Sequence, residues 1–204
     1  MSETGKNVID GFRELRGFCE DVHRLLKTAD GLMQQQDWKP IRRSSVVGYT
    51  STAIDEWAWW LPIEFVRHYR HARRELRHRV PYVAVLLDDP EDACPLSEAL
   101  LAAGWIDYGV GKKRRKPDRE NYYWLCRSHL WMPNRVDDGT LFCDRNLLHT
   151  WEGEKLPVGV VTIASFAYPL DEITSTNVLE SKIIKPLLVE IAKDMAPAST
   201  GARH

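Results

Sequence analysis

Phe12, Leu15, Cys19, Val22, Leu26, Ala29 and Met33 recur at alternating spacings of three and four residues, the period that lines up one stripe of an α-helix. A stripe this long commits the front of the chain to a helix over about 8–36 with one face that water cannot satisfy. Something must cover that face: the chain's own sheet, or the same stripe of a second copy in a coiled-coil seam. The first arrangement is preferred, because Gly11, Gly17 and Gly31 weaken a free-standing helix and the repeat spans only about three heptads. A homodimer through residues 8–36 is the alternative.

Downstream, the hydrophobic period changes. Val46 to Thr50 reads as a strand, and Pro62 fits the first turn of a second helix carrying Ile63, Val66, Tyr69 and Leu76 on its apolar side. Tyr82 to Leu87 reads as a buried strand ending in Asp88-Asp89-Pro90, followed by a short helix from Pro95 to Ala103 with Gly104 as its terminator. Candidate strands then fall at Trp105 to Val110, Tyr122 to Met132, Thr140 to Asp144 and Val158 to Phe166. Asp137-Asp138-Gly139 supplies a tight turn between two of them. A last helix is expected near Asn177, with Glu180 closing a capping box and Pro186 kinking or restarting it.

This order predicts an α+β fold: a mostly antiparallel sheet packed by N-terminal, central and C-terminal helices, a two- or three-layer sandwich of sensor-like type. No linker divides the 204 residues, so 1–195 are expected to form one domain and 196–204 a frayed tail. The longest uncharged stretch, Leu156 to Leu170, is shorter than the roughly 20 residues of a membrane helix and holds Pro157, Gly159 and Pro169. Four cysteines, at 19, 94, 126 and 143, form no disulfide framework, which suits a soluble cytoplasmic protein.

The formal net charge of -1 conceals local blocks of each sign. Arg67, Arg70, Arg74 and Arg77 share one face if the second helix forms, and Lys112-Lys113-Arg114-Arg115-Lys116 makes a basic loop. Arg67–Arg79 and Lys112–Lys116 could therefore track a phosphate backbone. The balanced total lacks the basic excess common in nucleic-acid modules, so solvated surface is the preferred reading.

Cys126, His129, Cys143 and His149 are zinc-capable, but an odd separation on a regular strand sends Cys126 and His129 to opposite faces. Asp88, Asp89 and Asp107 could serve a metal-dependent enzyme acting on nucleic acid or a phosphorylated substrate. Acidic residues before a proline are also ordinary turn formers. No glycine elbow surrounds Ser128 or Ser165, and Gly109-Val110-Gly111-Lys112 is too short for a phosphate loop. No cofactor is expected.

Eight tryptophans remain to be placed, three of them in Trp57-Ala58-Trp59-Trp60. Large aromatics are mostly buried, with Trp105, Trp124 or Trp131 as partners across the core, yet an extended 57–60 segment points Trp60 away from Trp57 and Trp59. The functional expectation is accordingly a non-catalytic regulatory or interaction module. It binds a protein partner or small ligand through Trp57, Trp59, Trp60, Arg67, Arg70, Arg74 and Arg77, arginine over aromatic faces being a favourable recognition pairing.

Overall fold

The computed structural model describes residues 3–41, 55, 61–62, 64–73, 76–87, 98–109, 149–152 and 160–195. It has α+β architecture. Helix α1 (Glu3–Gln34) leads into β1 (Trp38–Pro40), β2 (Glu64–His71), β3 (Arg79–Leu86), β4 (Leu100–Asp107), β5 (His149–Glu152) and β6 (Thr162–Pro169). The strands form one sheet in the order β1-β2-β3-β4-β6-β5, with every neighbouring pair antiparallel. The chain closes with α2 (Thr176–Leu179), a π-helical turn (Glu180–Ile184) and α3 (Lys185–Met195).

The α1 stripe behaves as its spacing requires over its second half: Val22, Leu26, Ala29 and Met33 are buried. They share a core with Phe65 and Tyr69 of β2, Val83 and Val85 of β3, Leu101, Ala103 and Trp105 of β4, Ala164 and Phe166 of β6, and Leu179, Ile183, Ile184, Leu187 and Ile191. Odd-numbered residues of β2 to β4 and even-numbered residues of β6 thus face the helices, as the two-residue strand period dictates. The opposite parity builds a second buried face from Val66, Tyr82, Ala84, Leu86, Leu100, Ala102, Ile106 and Ile163. Each fully buried aliphatic side chain is worth roughly 1.5–3 kcal/mol of transfer free energy, so both faces stabilise the sheet. Helix α1 ends at Gln34, and in the turn that follows Asp37, with a φ of 63°, takes the left-handed conformation from which β1 runs beside β2.

Two expected central helices are strands. The apolar spacing of Val66 and Tyr69 fits a helix face, but Phe65↔Val85 and Val66↔Ala84 pairing makes 64–71 strand β2, buried on both sides at most positions. The stretch Leu100-Leu-Ala-Ala103 contains good helix formers, yet it is the start of central strand β4. Pairing with β3 and β6 overrides local propensity there. Gly104 is not a helix terminator: it lies mid-strand, where an added Cβ would fall 1.9 Å from the Ala164 carbonyl oxygen and 2.7 Å from the Tyr82 hydroxyl. Pro81 is tolerated in β3 because pairing with β2 has already ended at His68↔Tyr82, so its missing N–H removes no bond on that side.

The closing helix starts earlier than expected. Ser175 caps it, its hydroxyl accepting from the Val178 N–H, while Glu180 sits in the π turn and pairs with Lys185 at 3.1 Å. Pro186 has no N–H to offer the preceding turn, and the helix restarts through the wider bond from Lys185 N–H to the Glu180 carbonyl. The strands expected at 46–50, 122–132 and 140–144 and the tail 196–204 lie outside the described residues.

Candidate functional site

A cleft of about 280 Å³ opens between α1 and β2. Its helix wall is Cys19, Val22, His23, Leu26, Lys27 and Asp30, which the helical period places on adjoining rows of one face; its sheet wall is Phe65 and Arg67, two residues apart and therefore on the same side of β2. Val22, Leu26 and Phe65 are buried and make an apolar floor, with Phe18 against Phe65 at 6.4 Å between ring centroids. His23 and Lys27 are exposed at the rim, and the Cys19 thiol is half-buried and unbonded to other cysteines.

Arg67 closes one end. Its Nε donates to Asp30 Oδ1 at 2.9 Å and its Nη2 to Asp30 Oδ2 at 3.0 Å, the two-pronged geometry that holds a guanidinium most firmly. The hydrogen bond to Asp30 raises the Arg67 pKa further above its ordinary value, against the opposing effect of burial. Tyr69, next along the same side of β2, is fully buried, and its phenol is pushed well above the usual range by burial and then by the Asp30 charge. The end of the cleft is thus a fixed ion pair, and Lys27 leaves an excess of positive charge at its rim.

Among the described residues, Arg70, Arg77 and Arg79 do not join Arg67 in a row. On a strand, positions 67 and 70 take opposite sides, and Arg70 is exposed. Arg77 follows the strand and donates to the carbonyls of His71 and Ala72, at 3.4 and 3.1 Å, bracing the turn into β3. Arg79 is buried: its Nε donates to Asp107 Oδ2 at 2.9 Å and its Nη1 to the Ile191 carbonyl at 3.2 Å, tying α3 to the sheet. The other Asp107 oxygen accepts from the Gly109 N–H at 2.6 Å, so both oxygens are committed to structural bonds. Among the described residues, no group of three His, Cys, Asp or Glu side chains is arranged to hold a metal.

Trp105 is buried in the helix-side core, as is Trp38, whose ring meets His71 edge-on at 4.7 Å. His149 opens edge strand β5, its backbone opposite Ser165. Trp57, Trp59, Trp60, Arg74, Asp88, Asp89, Lys112–Lys116, Cys126, His129 and Cys143, with Trp124 and Trp131, lie outside the described residues.

The sequence pattern did not reveal the polar residues inside the second face. Glu64, His68, Tyr82 and Ser165 are all buried there. His68 lies 6.4 Å from Tyr82 between ring centroids, and its imidazole is pushed down to about 4, by burial first and by the Arg67 charge second. Reading 64–71 with period two instead of period three would have exposed the signal, because Glu64, Val66 and His68 then share one side of a strand whose neighbours are apolar.

Among the described residues no helix is long and apolar enough to cross a membrane. No protein-family model, no curated protein and no solved structure matches the chain.

Proposed function

We propose that the chain is a non-catalytic binding module whose ligand is a small amphipathic anion held between α1 and β2. One observation supports this most: the cleft joins an apolar floor of Val22, Leu26 and Phe65 to a rim carrying Lys27 and His23 and an end fixed by the Arg67–Asp30 pair. Ligand pockets combine apolar lining with a few placed polar groups in this way, and a volume of about 280 Å³ calls for a ligand near the small end of their roughly 300–1,000 Å³ range. The binding role expected for Trp57, Trp59 and Trp60 is kept as part of this proposal on the strength of the sequence alone. The reading takes residues 1–195 as one sensor-like sandwich domain acting in a reducing, cytoplasmic setting.

Of the three carboxylates that metal-dependent catalysis would use, Asp107 is engaged by Arg79 and Gly109, while Asp88 and Asp89 lie outside the described residues. The test uses 8-anilinonaphthalene-1-sulfonate, an aryl anion whose fluorescence rises in apolar surroundings, displaced by decanoate. Lys27→Glu reverses the rim charge at an exposed position, so about tenfold weaker dye binding is expected with near-ultraviolet circular dichroism unchanged. Equal affinity in wild type and Lys27→Glu would refute the proposal.

A further inference from the structure

Helix α1 is too long for the sheet it lies on. Its 32 residues run about 48 Å at 1.5 Å per residue, whereas the 8-residue strands reach about 27 Å, so roughly 20 Å of helix projects beyond the sheet. The exposures agree. The three-four stripe is buried from Val22 onward, half-buried at Leu15 and Cys19, and open at Phe12 (59%) and Val8 (55%), with Ile9 beside them at 42%. The same seam therefore continues from the core into solvent. Among the described residues nothing lies within 4 Å of a Cβ built on Gly11 or Gly17, so both glycines face open space.

We infer that this projecting half pairs antiparallel with the same half of a second copy of the chain. In heptad terms Val8 and Leu15 occupy d while Phe12 and Cys19 occupy a, and antiparallel coiled coils layer a against d. One register satisfies every layer: Phe12 meets Leu15 of the second copy, and Val8 meets its Cys19. The flanking e and g positions, Ile9, Gly11, Arg16 and Phe18, contain a single charge type and place no arginine opposite arginine, because Arg16 falls across from Ile9. Gly11 gives room for the close approach. A parallel pair is disfavoured because the seam beyond Cys19 is already buried in its own domain, which would bring two sheets to the same end.

Area supports the same occupant. Val8, Ile9 and Phe12 leave on the order of 300 Å² in water per copy, within the roughly 300–600 Å² of the largest apolar patch on a monomer, which is often a functional one. Two copies, with the half-buried Leu15, Phe18 and Cys19 added, bury at most about 1,000 Å², the least area expected of a specific interface. The pairing also places Val8 of one copy beside Cys19 at the mouth of the other's cleft, so each subunit completes the binding surface of its partner. The inference stands without the ligand proposal.

The experiment is analytical ultracentrifugation of the full chain with mapping of oxidised crosslinks. Wild type should sediment at twice the chain mass. Phe12→Glu, at a position already open to solvent, should raise the dimer dissociation constant about a hundredfold or more while leaving the melting temperature of the monomer unchanged. Mild oxidation of Val8→Cys should yield a disulfide between position 8 of one copy and Cys19 of the other. A monomer at every concentration overturns the inference, as does a Cys19–Cys19 crosslink in wild type, which only a parallel pair brings into reach.

Discussion

Acidification should weaken this protein through one imidazole. His68 is buried inside the second face of the sheet, and its pKa stands at about 4 against the ordinary 6.5, because burial disfavours the charged ring and Arg67 repels it. In the unfolded chain the ring takes up a proton below about 6.5, while in the folded chain it stays neutral until about 4. The unfolded state therefore binds more protons throughout that window, and stability falls as pH drops from 6.5 toward 4, then levels. Linkage with these two values gives a loss of about 2 kcal/mol between pH 7 and pH 5, approaching ~3 kcal/mol at pH 4. Urea unfolding at both pH values, in wild type and in His68→Phe, isolates the effect. The absolute stability of the variant is immaterial; only its pH slope counts, and it should lose about 2 kcal/mol less than wild type. Equal losses in both proteins would refute the reasoning.

The Arg67–Asp30 pair should reveal itself by asymmetry. Asp30→Asn strands a half-buried guanidinium and is expected to cost ~2–3 kcal/mol in urea unfolding, below the usual value for a fully buried pair because Arg67 retains 21% side-chain exposure. Arg67→Met with Asp30→Leu removes both charges and should fall within about 1 kcal/mol of wild type; a double variant worse than Asp30→Asn would contradict this account. Glycines should divide by location. Gly104→Ala drives a methyl into the β6 backbone and should prevent stable folding or cost more than ~3 kcal/mol, whereas Gly17→Ala, in open space on α1, should gain ~0.5–1 kcal/mol. Thermal melts of the two variants decide the matter, and a neutral Gly104→Ala would show that the β4–β6 spacing is wrong.

The elements legible in the chain were those whose hydrophobic period was long or unambiguous. The α1 stripe covers three heptads, and Tyr82 to Leu87 is an apolar run too short for a helix and too apolar for a loop. The closing helix was legible through Leu187 and Ile191, although its cap proved to be Ser175, since the side-chain oxygens of Ser175 and Asn177 both suit a cap and only the backbone path into the helix selects one. Segments 64–71 and 100–104 were illegible because three-residue spacing and helix-forming Leu and Ala mimic helix, whereas the strand character of 105–107 was legible. Pairing with strands distant in sequence decided them. That error also misassigned the start of the arginine row: the periodicity that would align Arg67 with Arg70 does not exist on a strand. Among the described arginines of that row, Arg67 alone lines the cleft, held by a pairing with Asp30, 37 residues away, that no local pattern encodes.

By itself, then, the amino-acid order determined that an amphipathic helix opens the chain, that antiparallel strands follow and that a second helix closes it, because those features depend on side-chain spacing within a few turns or residues. The tertiary structure alone decided which side of the sheet Arg67 and Arg70 take, that Gly104 must lack a side chain, that His68 is sealed from water and that a cleft separates α1 from β2. Each of these depends on strand register and layer contact between residues far apart along the chain, and a shift of one position in that register would exchange the two faces of the sheet.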